Sequence, residues 1–196
     1  MTTPPSPSVL LRLDTAGSAT LADLLATFEE LQTALRCCER LVSELAESAA
    51  DDIACEAVWT MALMSYCRCF APERGKGAVS PEDVTAALPQ GNALEWHRVL
   101  VQLREHYADP AANPRERFSV GVAQGADGTA AGVGITSVRQ PMVDDVTVRQ
   151  TGALAFALRN LVEDRISAQQ ATVFEEMRGR SKAELDRLGR LDIALP

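Results

Sequence analysis

Apolar residues fall at alternating intervals of three and four along the first third of the chain. Leu21, Leu24, Phe28, Leu31, Leu35, Cys38, Val42 and Leu45 hold this rhythm without a miss. That spacing predicts one long helix with a heptad stripe, capped by Ser18 or Thr20, with Asp23 at capping-box distance from Thr20. A coiled-coil dimer would use such a stripe, and so would the long helix of an antiparallel bundle. Leu25 and Leu41 widen the apolar face, which favours the bundle.

The next apolar segment, about 51–70, is hydrophobic all round and is expected in the middle of a bundle. Asp51 and Asp52 suit the positive end of its dipole, and Arg68 suits the other end. Pro72 stops it, and ERGKG follows as a basic surface loop. Ser80, Pro81, Glu82 and Asp83 then carry the cap, first-turn proline and early acids of a short helix to about Leu88. Asn92, with Glu95 three residues later, opens a helix whose apolar side is Val99, Leu100, Leu103 and Tyr107. Pro110 ends this helix at about Ala108.

Beyond that turn the period changes to two. Phe118–Val122 and Gly132–Val138 alternate around a GADG turn signal, predicting a hairpin over about 117–139. A lone hairpin is marginal in water, so it is expected to pack on a helix or to gain a third strand, for which Val9–Leu13 is the candidate. Helical spacing resumes over about 145–177 through Leu154, Leu158, Leu161, Val162, Ile166, Val173 and Met177. Ser181–Glu184 then recaps a short terminal helix. The fold class is therefore mainly α: an antiparallel helical bundle of four to five helices with a small inserted β-hairpin. Residues 1–17 read as a mobile, proline- and serine-rich segment containing the possible short strand, and 18–196 as a single helical domain.

Composition narrows the function classes. At 196 residues and 46% hydrophobic, one core is expected. A net charge of -8 and a pI near 4.8 argue against binding nucleic acid by charge alone, although a local basic patch remains open. The five cysteines form no CxxC pair and are expected to be buried thiols, with no metal site. No cofactor is expected, because neither a dinucleotide fold pattern nor a phosphate loop is present. The first residues lack the pattern of a secretion leader, and the longest uncharged apolar run, Ala57–Cys67, is too short to span a bilayer. These features point to a soluble, cytoplasmic protein with no membrane partner, and the richness in Ala, Arg, Asp and Val with few Lys suggests a GC-rich bacterial genome.

Candidate chemistry gathers on 92–118. His97 and Arg104 lie two helical turns apart on one face, with Leu100 between them, and His106 points elsewhere. The plain reading makes His97 a partly buried helix histidine with one hydrogen bond, and Arg104 a structural or solvated cation. No complete catalytic signature appears, so the sequence leaves open whether the chain is an enzyme. Arg68, flanked by Cys67 and Cys69, needs an acidic partner if it is buried. Glu105 or Asp109 at the end of the 92–108 helix is the expected one. The alternative is that its head snorkels to water.

Two short motifs carry a resemblance. The order W-x3-L-x2-Y-x-R-x-F is formed by Trp59, Leu63, Tyr66, Arg68 and Phe70. The order H-x2-L-x2-L-R is formed by His97, Leu100, Leu103 and Arg104, followed by a polar turn with Asn113 and Glu116. Over roughly 20–180 the chain resembles uncharacterised bacterial HEPN-like helical proteins. The resemblance implies a dimer, and in active members a histidine a few residues past the arginine serves as the acid–base group. Here Asp109 and Pro110 stand where that histidine would fall, which implies a binding or regulatory relative acting by association as a homodimer, toward RNA or a protein partner. The binding residues it suggests are Tyr66, Arg68, Asp109 and Asn113. The alternative it leaves is a metal-independent ribonuclease with a rearranged site of His97, Arg104 and His106.

Overall fold

A computed structural model describes residues 9–47 and 51–191, so the proline- and serine-rich start lies outside the described residues. The chain is mainly helical, in the order α1 (Ala16–Leu45), α2 (Asp52–Arg68), a 3-10 segment (Pro72–Gly77), α3 (Pro81–Ala87) and α4 (Ala93–Ala108). Strands β1 (Glu116–Gln124) and β2 (Ala130–Arg139) follow, then α5 (Asp145–Arg178) and α6 (Lys182–Leu185). This is the bundle with an inserted hairpin that the periodicities predict.

The frame is the antiparallel pair of α1 and α5. The start of α1 meets the end of α5, where Gln169 Nε2 donates to the Gly17 carbonyl at 3.0 Å. Further along, the Arg159 guanidinium lies over the Phe28 ring at 4.9 Å. On α1 the buried positions are Leu24, Thr27, Leu31, Ala34, Cys38 and Leu41. On α5 they include Val148, Ala155, Leu158, Val162 and Ile166. The heptad stripe is thus used up inside the chain, by α5 and α2.

Helix α2 packs on α1 and α4, and α3 packs on α4 and α5. The buried residues of these helices form one contiguous cluster. α2 is not central, contrary to its uniform hydrophobicity. Cys55, Trp59, Leu63 and Tyr66 face inward, while Ile53 is 79% and Met61 50% exposed. Two flanking helices cover only part of an all-apolar surface.

The caps explain the boundaries. Thr15, not Ser18 or Thr20, is the N-cap of α1. Its hydroxyl accepts from Ser18 N at 3.1 Å, and the Ser18 hydroxyl accepts from Thr15 N at 3.0 Å. Ser80 and Asp83 form the same reciprocal box on α3. Asn92 precedes α4 but makes no side-chain cap bond, so the expected box with Glu95 does not form. The 3-10 segment is a surface turn, as expected, with Pro72, Glu73, Gly75 and Lys76 exposed, but Gly77 anchors it to α1. Buried Thr27 donates to the Gly77 carbonyl at 2.9 Å, and Gly77 lies so close to α1 that a Cβ would sit 2.5 Å from Asp23.

The largest departure is the hairpin. Val9–Leu13 does not add to it: Leu11 forms an isolated antiparallel bridge with Arg190 instead. Arg12 N donates to the Gly189 carbonyl at 2.7 Å, and Leu191 N to the Leu10 carbonyl at 2.9 Å. Among the described residues the sheet has two strands. Every residue of β1 except Glu116, and every residue of β2, is exposed.

Candidate functional site

His97 projects from α4 into the seam with α2. It is 7% exposed, and its Nδ1 lies 2.9 Å from the Tyr66 hydroxyl. The Phe70 ring stacks beside it at 4.2 Å. Burial, with a smaller contribution from the Arg98 charge, holds this imidazole below its ordinary pKa. It is a buried helix histidine with one hydrogen bond. Tyr66 is wholly buried, and burial raises its phenol pKa.

Arg104, two turns further along the same face of α4, lies beside the Cys67 thiol. Burial raises that thiol to about 11 against the opposing pull of Arg104. Cys67 Sγ donates toward the Leu100 carbonyl at 3.8 Å, closing the seam. His106 is exposed on another side of α4, against its own neighbour Tyr107. The three residues are therefore not brought around one opening. Among the thiols, burial also pushes Cys38 and Cys69 up to about 12, which keeps them protonated near neutral pH.

The polar turn after α4 is structural in its local bonding. Asp109 Oδ1 accepts from Ala111 N at 2.8 Å, and Asn113 Oδ1 accepts from Arg115 N at 2.9 Å. Both are the side-chain-to-backbone bonds that turns use.

Arg68 corrects its expected pairing. Its guanidinium meets Glu30 of α1 at 3.6 Å, and its side chain is 59% exposed. Arg74 shares the same carboxylate at 3.2 Å. Glu105 and Asp109 are not its partners, for a geometric reason. Two residues turn a helix by about 200°, so Arg68 leaves α2 on the side opposite Tyr66, away from α4.

Two concavities lie around the root of the hairpin. One has a volume of about 380 Å³ and is walled by Trp59, Tyr107 and Met142, with Arg115 and Arg139 at its rim. Arg115 Nε donates to Glu56 Oε2 at 2.8 Å, and Arg139 stands 3.8 Å from Asp52. These two ion pairs tie the hairpin to α2. The second concavity, about 370 Å³, runs along the outer face of α2 over Ile53, Ala57, Met61 and Met64, ending at Arg68 and Arg115. Neither concavity is lined by His97, Arg104 or His106.

The hairpin itself carries the most unusual chemistry. Its register pairs Phe118 with Ser137, Val120 with Ile135 and Val122 with Val133, which puts these side chains on one face. The five apolar members are 57% to 73% exposed. On the other face Gly121 opposes Gly134, and Ala123 opposes Gly132, with open space over all three glycines. The alternation was visible in sequence, but no local signal says that none of the described residues covers the apolar side. Among the described residues no group of three or more His, Cys, Asp or Glu is placed to hold a metal ion, and no helix is long and apolar enough to cross a membrane. No protein-family model, curated protein or solved structure matches this chain.

Proposed function

We propose that this chain is a binding protein that works by association, as a homodimer, and that its projecting hairpin is the contact element. One observation carries the reading: a two-stranded arm holds Phe118, Val120, Val122, Val133 and Ile135 exposed on one face, covered by none of the described helices. Leaving these side chains in water forfeits roughly 1.5–3 kcal/mol for each large apolar group, a loss that a partner surface would recover. A two-stranded hairpin is also marginally stable alone, so a covering partner supplies the support its own chain withholds. The HEPN-like part of this reading rests on motif resemblance, and its support here is the helical bundle and the Tyr66–His97 seam that the two motifs form. A role in association rather than turnover fits a histidine kept neutral and bonded in the core, and thiols kept protonated.

Sedimentation equilibrium tests the reading. The unmodified chain should show a concentration-dependent mass that rises from 21.1 kDa toward twice that value at micromolar concentrations. A mass of 21.1 kDa at every concentration overturns it.

A further inference from the structure

The hairpin is not the only unpartnered apolar surface. Helix α2 presents Ile53, Ala57, Met61 and Met64 outward, at the three- and four-residue spacing of a single stripe, and the stripe forms the floor of a groove. We infer that in the dimer the apolar face of each hairpin lies in the α2 groove of the other copy, so that two arms are exchanged about a two-fold axis. This inference rests on the association reading above and names the surface that receives the arm.

The dimensions agree. From Phe118 to Val122 the arm's apolar row runs about 14 Å, at the rise of an antiparallel strand. From Ile53 to Met64 the α2 stripe runs about 17 Å, at the rise of a helix. The two surfaces are also continuous. Arg115, the residue before β1, forms one end of the groove, and the Arg115–Glu56 and Arg139–Asp52 pairs fix the root of the arm beside the start of α2. A two-fold axis near that root therefore carries each arm onto the neighbouring copy's α2. It requires the arm to leave its own helices behind, and beyond the Arg139–Asp52 pair at its root no residue of either strand joins the core of its own chain.

Area decides in favour of exchange over a single contact. Each arm offers roughly 400–500 Å² of exposed apolar surface, comparable to the largest patch on a typical monomer. Two arms in two grooves bury on the order of 1,000 Å² in total, about the least that a specific interface needs, whereas one arm in one groove reaches only half. An isologous contact of this kind closes on itself and does not grow into a fibre.

The test uses two full-length variants that alter one surface each. Val120→Lys with Ile135→Glu removes the arm's apolar centre and keeps a cross-strand charge pair, since the two residues face each other. Ile53→Glu with Met61→Glu does the same to the exposed stripe of α2. Far-ultraviolet circular dichroism of each variant confirms that the helices are intact. Both variants should dimerise at least tenfold more weakly than the unmodified chain. Mixed at high concentration, they should form a heterodimer, because one intact arm then meets one intact groove. If the arm variant is monomeric but the α2 variant dimerises normally, arms pair with arms or with another surface; the groove assignment falls and the association reading stands. If both are monomeric and the mixture stays monomeric, the exchange is likewise overturned. An arm variant that dimerises normally, or an unmodified chain that is monomeric, overturns the exchange and the association reading together.

Discussion

The Tyr66–His97 pair shows how burial and one hydrogen bond fix a titratable side chain in the seam between α2 and α4. The imidazole is depressed in the folded chain, first by burial and then by Arg98. Its contribution to stability is therefore complete above the unfolded value of about 6.5 and is lost as pH falls through that value toward the folded one. Denaturant midpoints of the unmodified chain should fall between pH 7 and pH 5. His97→Gln, which keeps a polar partner for Tyr66, should flatten that slope; an equal slope in both proteins counts against a neutral core imidazole. A second residue-scale prediction concerns Gly77, whose missing Cβ would lie 2.5 Å from the Asp23 backbone. Gly77→Ala must push the 3-10 segment off α1 and stretch the Thr27 hydrogen bond to the Gly77 carbonyl. The expected cost is about 1–3 kcal/mol in urea unfolding, as for overpacking elsewhere. Unchanged stability would mean that the segment is not held as described. His97 and Arg104 were legible in the sequence as one helix face. Their separation from His106 was legible too, but the Arg68 partner was not. It depends on which way a helix end points within the bundle, and Glu30 is remote in sequence.

Among the elements, the long helices were the easiest to read, because a stripe such as Leu24, Leu31 and Cys38 repeats over many turns and each turn repeats the signal. Their partners were harder. The α1 stripe is satisfied by α2 and by α5, the latter a hundred residues away, and α2 looks central by composition yet shows Ile53 and Met61 to water. The hairpin was legible in position and period, but its isolation was not, because a strand's alternation says which side is apolar and not what covers it. None of its residues belongs to the buried cluster that holds the helices together. Replacing 117–138 by a short glycine–serine link should therefore leave the melting temperature of the helical bundle within a few degrees of its value for the monomeric arm variant, while abolishing dimerisation. A large loss of bundle stability would show that the hairpin packs on its own chain.

At the scale of the molecule, a satisfied core and an unsatisfied outside divide the chain. The antiparallel α1–α5 pair and the helices laid on it bury a contiguous core, and the Arg165–Asp83 ion pair ties α5 to α3. Burial alone would raise the Asp83 carboxyl; the bonds from Arg165 and Ser80 outweigh it and hold the group below its ordinary value. Outside this core stand one apolar arm and one apolar groove, joined at the arm's root by two ion pairs. The central claim is that the arm is covered when copies meet. Amide hydrogen exchange measured at two protein concentrations reads this most directly. A two-stranded hairpin without support opens readily, so its amides exchange fast, and a partner that clamps it slows them. The amides of 118–122 and 133–138 should exchange markedly more slowly at tens of micromolar than under dilute, monomeric conditions, with the amides of α1 and α5 unchanged. Equally fast exchange of the hairpin at both concentrations, in a sample that is dimeric at the higher one, would contradict the claim.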